Sequence, residues 1–171
     1  MVIWIVGMSA SGKTSIGKEV YQQLKTHNHN VVFIDGDILR EINGNDLGHT
    51  VSDRIVNASR ISRLCKYLDS QDIDVVCAVL SIFSDWLAWN RNNISDYFEI
   101  YIRVSFDILL SRETKGLYRR AIAGEINNVV GVDIEFPEPL APDLIIDNDV
   151  EVTSFREMAD KIVKAVSIGF N

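Results

Sequence analysis

The stretch that decides the fold is Gly7-Met8-Ser9-Ala10-Ser11-Gly12-Lys13-Thr14, which directly follows the apolar run 2–6. It matches the pattern G-x-x-x-x-G-K-[ST] completely, with a strand expected before it and a helix after it. Such a loop turns backbone N–H groups inward at a helix N-terminus, where they bind the phosphates of a nucleoside triphosphate. The lysine then reaches the β- and γ-phosphates, and the threonine hydroxyl can bind Mg²⁺. The predicted ATP contacts in this phosphate loop are Gly7, Ser9, Ala10, Ser11, Gly12, Lys13, Thr14 and Ser15.

Short apolar runs rich in valine and isoleucine alternate along the chain with longer segments of helical spacing, and they are typical of buried parallel strands. The runs span 2–6, 31–35, 74–80, 99–104 and 144–147. Helical spacing is found at about 13–26, at about 53–70 and from Phe155 to Val166. This alternation predicts a single domain over 1–171 with an α/β fold, a three-layer sandwich whose mostly parallel five-stranded sheet has helices on both faces.

The segment 115–142 interrupts this alternation and contains Gly124, Gly131 and three prolines. It is too long for a tight turn between a helix and a strand. We therefore predict that it forms a lid over the site.

The bulk composition narrows the class of protein. The chain of 171 residues has a net charge of −7, which argues against a general nucleic-acid binder, because such proteins normally present a basic surface. No apolar stretch reaches the roughly 18 to 20 residues that a membrane span needs, so no membrane partner is expected. Cys65 and Cys77 lie in apolar patterns and form no CxxC pair, which favours reduced, buried thiols in a cytoplasmic protein.

Two carboxylates, Asp35 and Asp37, flank Gly36 at the end of the second predicted strand. Because ligands of parallel α/β sheets bind at the carboxyl ends of the strands, this pair is expected beside the phosphate loop. One carboxylate can orient Mg²⁺ through water, and the other can accept the proton of an attacking hydroxyl. The predicted catalytic residues are Lys13, Asp35 and Asp37, and the predicted metal site is Thr14 with Asp35. Which aspartate is the base stays open, because either can face the metal.

Group transfer is favoured over hydrolysis. A GTPase would need the guanine-reading sequence Asn-Lys-x-Asp after a later strand, and the chain has none. A small kinase needs only a sheet, an acceptor pocket and a lid, which suits the length of the chain. Two alternatives remain at this point, an inactive nucleotide-binding regulator and a kinase of a small metabolite such as a sugar acid.

Further motifs follow in a fixed order over nearly the whole chain. They are Asp35-Gly36-Asp37-x-x-Arg40, Asp46-Leu47-Gly48, Asp53-Arg54-x-x-Asn57-x-x-Arg60, Lys115-Gly116-Leu117-Tyr118-x-x-Ala121 and Gly131-x-Asp133. Together with the phosphate loop, they resemble the adenylyl-sulfate kinases, which use ATP to phosphorylate the ribose 3′-hydroxyl of adenosine 5′-phosphosulfate. The resemblance implies a P-loop kinase fold with a lid, Mg²⁺ with ATP as the phosphoryl donor, a nucleotide acceptor and a homodimer.

The resemblance also implies roles for individual side chains. Arg40, Arg54 and Asn57 would hold the acceptor nucleotide. Arg112 would lie along the ATP base, and Lys115 with the helix after it would form part of the lid. The acceptor contacts expected on this basis are Asp37, Arg40, His49, Arg54, Asn57, Leu80, Ser81, Lys115, Leu117 and Val129.

The departures from the family pattern concentrate around the acceptor base. His49 and Val129 replace the two phenylalanines that hold the adenine in family members, and the family's Ile-Ser-Pro-Tyr-Arg is Leu80-Ser81-Ile82-Phe83-Ser84 here. Stacking on an aromatic ring contributes about 1–3 kcal/mol per base, so the loss of both rings weakens adenine binding. We therefore expect a changed acceptor, cytidine diphosphoramidate, which similar short members use in bacterial capsule biosynthesis. Adenosine 5′-phosphosulfate is the alternative.

Overall fold

The computed structural model describes residues 1–27, 29–149 and 154–169, which form a five-stranded sheet covered by helices. The strands are β1 (Val2–Val6), β2 (Val31–Asp35), β3 (Asp74–Val79), β4 (Tyr97–Arg103) and β5 (Leu144–Asp147). The helices are α1 (Lys13–Lys25), α2 (Gly36–Ile42), α3 (Val51–Asp69), α4 (Ser84–Asn93), α5 (Phe106–Arg112), α6 (Leu117–Ile122) and α7 (Phe155–Gly169). The sheet order is β2-β3-β1-β4-β5 and all of these strand pairs are parallel, which confirms the predicted sheet.

The central strand β1 builds the two cores of the sandwich. Its five residues are all buried, and successive side chains of a strand point to opposite faces of the sheet. Ile3 and Ile5 pack with apolar residues of α1 and α7 on one face. Trp4 packs on the other face with Ile61 and Cys65 of α3. A run that is apolar at every position therefore requires helices on both faces, and the predicted three layers are confirmed.

Several element boundaries differ from the prediction. Strand β3 ends one residue earlier, β4 begins and ends earlier, and α3 begins at Val51. The helix start was misplaced because Thr50 and Asp53 form a capping box, in which the Thr50 hydroxyl accepts the Asp53 N–H and the Asp53 carboxylate accepts the Thr50 N–H. The described part of the last helix begins as expected, since the Ser154 hydroxyl accepts the Glu157 N–H.

Helix α2 was not predicted, because Asp35-Gly36-Asp37 is a sequence that is also common in turns. The side chain of Asp35 accepts a hydrogen bond from the Asp37 N–H at 2.9 Å and so caps a helix that begins at Gly36. Aspartate favours both turns and helix N-caps, which is why the sequence alone did not separate the two. The cap places Asp37 in the first turn of α2, at the carboxyl end of β2.

We expect Thr50→Ala to destabilise the fold by about 1 kcal/mol, because it removes the acceptor for an N–H at the start of α3. Urea unfolding of both proteins measures the difference. Thr114→Ala serves as the control, since Thr114 is exposed and lies outside the helices. Equal midpoints for Thr50→Ala and the wild type would contradict the role of this cap.

Within 1–27, 29–149 and 154–169, no helix combines the length and the apolar character that crossing a bilayer requires. Both cysteines are buried and unbridged, as the sequence predicted.

Candidate active site

The phosphate loop joins β1 to α1 and has the backbone curvature that its glycines permit. Gly12 has a φ of 88°, in the left-handed region that favours glycine. A Cβ atom on Gly7 would come within 2.5 Å of the Ser11 Oγ atom, so only glycine fits this close approach. Asn148, which is buried, donates from Nδ2 to the Ser11 carbonyl at 2.9 Å and holds the loop from β5. The loop is thus preformed at the N-terminus of α1, where anions bind.

Thr14 and Asp35 lie together at the end of the phosphate loop. The Thr14 hydroxyl donates to the Asp35 Oδ2 atom at 2.8 Å, and the Asp35 Oδ1 atom caps α2. Both carboxylate oxygens of Asp35 thus position neighbouring groups, and the residue is only 8% exposed. Asp37 differs, because its side chain is exposed and lines the cleft.

Lys13 supplies the positive charge at this point. Its ammonium group donates to the Met8 carbonyl at 3.3 Å, inside the phosphate loop. Burial lowers the pKa of Lys13, and the nearby carboxylates of Asp37 and Asp35 oppose that shift. The ammonium group and both aspartates thus share one site, as the sequence predicted.

A cleft of about 660 Å³ begins at the phosphate loop and runs between α2, α3 and the segment 115–142. Its volume lies in the range of pockets that bind small molecules. The predicted site residues that line it are Ser9, Lys13, Thr14, Asp35, Asp37, Arg40, His49, Arg54, Asn57, Leu80, Lys115, Leu117 and Val129. Ser81 lines a smaller recess beside the cleft, together with Arg40, Arg54 and Asn57.

Two arginines form the positively charged wall of the cleft. Arg40 donates to the Gly48 carbonyl at 2.9 Å, and Arg54 donates to the carbonyls of His49 and Asn128, both at 2.9 Å. Within the described residues, the hydrogen bonds of both guanidinium groups go to backbone carbonyls, so these bonds do not neutralise their charge. Burial and the charge of Arg40 lower the pKa of Arg54, and the carboxylates of Asp37 and Asp133 oppose that shift. Two neighbouring cations without a hydrogen bond to a carboxylate favour an anionic ligand.

His49 and Val129 lie on the two loops that these arginines hold. Burial, followed by the charges of Arg40 and Arg54, lowers the pKa of His49, so its imidazole is neutral near pH 7. Val129 is 5% exposed, and its N–H donates to Asp133 at 2.7 Å. A small aliphatic side chain and a neutral imidazole therefore line the part of the cleft between the two loops.

Asn57 supplies a buried polar group on α3. It is 8% exposed, and its Oδ1 atom has no hydrogen-bond partner within the described part of the chain. A buried polar atom without a protein partner costs free energy unless a ligand or water satisfies it. This is the behaviour expected of a ligand-binding side chain.

The segment 115–142 lies against the phosphate loop. Tyr118 of α6 is fully buried, and its hydroxyl donates to the Ser9 carbonyl at 2.9 Å. Tyr118 packs with Leu109 and Val129 in a small third core that Met8 also contacts. Gly131 has a φ of 95°, in the left-handed region that favours glycine, which explains a glycine at this position. The segment therefore closes one side of the cleft, and its motion as a lid stays a prediction.

Other predicted residues lie outside the cleft. Gly7, Ala10, Ser11 and Gly12 belong to the backbone of the phosphate loop, and Ser15 is exposed on α1. Arg112 donates to the Asn148 carbonyl at 2.7 Å, beside the loop. Several residues that line the cleft were not predicted from the sequence, and the predicted lid was the only signal for the last four of them. They are Gly36, Glu41, Asn45, Ile61, Ala78, Val79, Ile126, Asn127, Asn128 and Val130.

Comparison with known proteins gives the family. The sequence profile of the adenylylsulphate kinase family matches residues 1–147. The chain belongs to this family. Among its relatives, the cytidine diphosphoramidate kinase of Campylobacter jejuni is 39% identical over 170 residues, covering 98% of this chain and 96% of the relative. The adenylyl-sulfate kinase of Halothermothrix orenii is 35% identical over 164 residues, covering 96% and 88%.

Solved structures of the adenylylsulphate kinase family share this fold. The APS kinase CysC of Mycobacterium tuberculosis, solved in complex with AMPPNP and APS, is 28% identical and superposes with a TM-score of 0.86. The match covers 97% of this chain and 96% of that protein. The relatives are named as kinases, so the expectation of a nucleotide kinase of this family is confirmed.

Proposed function

We propose that this protein uses ATP to phosphorylate the ribose 3′-hydroxyl of cytidine diphosphoramidate. The observation that carries the proposal is the contrast between the two ends of the cleft. The donor end keeps the phosphate loop, Thr14 and both aspartates, whereas the acceptor end presents His49 and Val129 in place of the family's aromatic pair. The cytidine diphosphoramidate kinase of Campylobacter jejuni, at 39% identity, supports this acceptor.

The size and stacking of the base are the physical reasons for a pyrimidine. Two aromatic rings hold a purine through stacking on both faces, and each base–aromatic contact contributes about 1–3 kcal/mol. A valine and a neutral imidazole offer less stacking surface and thus favour a smaller base. Arg40 and Arg54, whose hydrogen bonds go to backbone carbonyls, suit the diphosphate-like group that both candidate acceptors carry.

Asp37 is the proposed general base. It is exposed in the cleft, whereas Asp35 is buried and uses both oxygens to hold Thr14 and the start of α2. In the proposed step, the 3′-hydroxyl gives its proton to the Asp37 carboxylate while its oxygen bonds to the γ-phosphorus. The bond from that phosphorus to the bridging oxygen breaks, and Lys13 with the loop N–H groups stabilises the charge left on ADP.

The proposed cofactor is Mg²⁺ bound with ATP, which neutralises phosphate charge. The residues present fit such an ion, because hydroxyl and carboxylate oxygens are ligands that Mg²⁺ prefers. The Thr14 hydroxyl donates a hydrogen bond to Asp35, which leaves the lone pairs of its oxygen available. We also propose that the protein is cytoplasmic. In addition, we propose that it assembles as a homodimer, and light scattering of the purified protein measures the mass of that assembly.

Steady-state assays with ATP and each acceptor test the proposed function. We expect kcat/KM for cytidine diphosphoramidate to exceed that for adenosine 5′-phosphosulfate by about tenfold or more, the ratio that one lost stacking contact produces. Efficient turnover of adenosine 5′-phosphosulfate with none of the cytidine compound would overturn the proposed acceptor.

The double variant His49→Phe/Val129→Phe tests the cause of the preference. It should raise kcat/KM for adenosine 5′-phosphosulfate relative to the cytidine acceptor. The control His49→Leu/Val129→Leu adds apolar volume without aromatic rings and should leave the ratio near that of the wild type. An equal ratio in both double variants would show that aromatic stacking at these two positions does not select the base.

A further inference from the structure

We propose that Phe155, the first residue of α7, is the platform on which the base of the phosphoryl donor stacks. Phe155 is 44% exposed, although it is a large aromatic residue. It lies against the phosphate loop, since a Cβ atom added to Gly12 would come within 3.2 Å of its ring Cε1 atom. An exposed ring beside a phosphate-binding loop presents a face on which a purine can stack.

The orientation of the bound triphosphate places the base of the donor on the side of the phosphate loop where Phe155 lies. The γ-phosphate must meet the acceptor in the cleft, where Lys13 and Asp37 lie. The rest of the donor must therefore leave the phosphate loop on another side. Phe155 does not line the cleft, and with Asn148 it contacts the loop at Gly12. Asn148 in turn accepts a hydrogen bond from Arg112, so a guanidinium group stands near the same side of the loop.

A packing role alone does not account for Phe155. The helical spacing of Phe155, Met158 and Ile162 places the three on one apolar stripe of α7. Those two residues are at most 1% exposed and belong to the core beneath the sheet, whereas nearly half of Phe155 remains exposed. The helix therefore buries Met158 and Ile162 fully and leaves part of the Phe155 ring available to a ligand.

The proposal rests on ATP as the donor and does not depend on the identity of the acceptor. Phe155→Ala tests it through binding of two ligands, ATP and inorganic tripolyphosphate, each with Mg²⁺, by calorimetry. Tripolyphosphate can occupy the phosphate loop but has no base. We expect the variant to raise the Kd of ATP about 5- to 30-fold, because one partly exposed stacking contact is lost. The Kd of tripolyphosphate should stay within about twofold of the wild-type value.

Two further variants separate stacking from support of the loop. Phe155→Leu keeps an apolar side chain against Gly12 and should weaken ATP binding as the alanine variant does. Phe155→Tyr keeps the ring and should bind ATP like the wild type. The KM of the acceptor should be unchanged in all three.

Equal weakening of ATP and tripolyphosphate would overturn the proposal, because Phe155 would then act on the loop itself. Unchanged ATP binding in Phe155→Leu would also overturn it. A wrong acceptor assignment gives a different result, since it changes the acceptor preference of the wild type and leaves the difference between ATP and tripolyphosphate intact.

Discussion

Asp37→Asn is expected to lower kcat by about 10²- to 10⁴-fold, the usual contribution of a positioned general base. Asparagine keeps the size of the side chain and the N–H that Asp35 accepts, so α2 should remain in place. What it loses is the carboxylate that receives the proton of the attacking hydroxyl. The KM of ATP should change little, because Asp37 lies on the acceptor side of the phosphate loop. Initial rates over a range of both substrates measure these values.

Asp35→Asn is the matched comparison and should behave differently. Its carboxylate accepts the Thr14 hydroxyl, so its loss should raise the Mg²⁺ concentration needed for half-maximal rate. An Asp37→Asn enzyme with wild-type kcat would show that Asp37 is not the base. A large fall in kcat for Asp35→Asn, with an unchanged Mg²⁺ requirement, would indicate that Asp35 is the general base and that Asp37 serves the metal site.

The strands and the phosphate loop could be predicted because their signals are local. A run such as 2–6 is short, rich in valine and isoleucine and apolar at every position, which is typical of a strand covered on both faces. The pattern from Gly7 to Thr14 is equally local. A side chain would approach Ser11 too closely at Gly7, and it would strain the left-handed backbone at Gly12. These two features fix the sheet, its carboxyl edge and the position of Lys13.

The rest of the site depends on contacts between residues far apart in sequence. Arg54 holds the Asn128 carbonyl across 74 positions, and Tyr118 bonds to Ser9 across 109. Neither contact produces a periodic pattern in the sequence. The motifs could therefore be recognised, but the loops that these contacts hold together could not. Helix α2 was missed for a different reason, because Asp35 favours a turn and a helix cap equally.

Lys13→Met is expected to lower kcat/KM by about 10³-fold, as removal of a charged group that stabilises the transition state does. The ammonium group lies inside the phosphate loop, where it donates to the Met8 carbonyl. Methionine has a similar length and keeps the apolar stem, so the change removes mainly the charge. Transfer of the γ-phosphoryl group leaves negative charge on ADP, and the variant has no side-chain cation in the loop to stabilise it. Single-turnover kinetics at saturating ATP isolate this step.

The fold should survive this substitution, which separates loss of activity from unfolding. Burial lowers the pKa of Lys13, so the folded state disfavours the charged form that dominates in the unfolded chain. A group shifted in this direction opposes folding fully below its folded-state pKa, and the effect fades as the pH rises toward its unfolded-state pKa. Its removal should therefore keep or raise the melting temperature near pH 7. Lys18→Met, on the exposed side of α1, is the control and should change neither property. A Lys13→Met protein that is both less stable and inactive would indicate that the ammonium group holds the phosphate loop together, rather than acting on the bound phosphates alone.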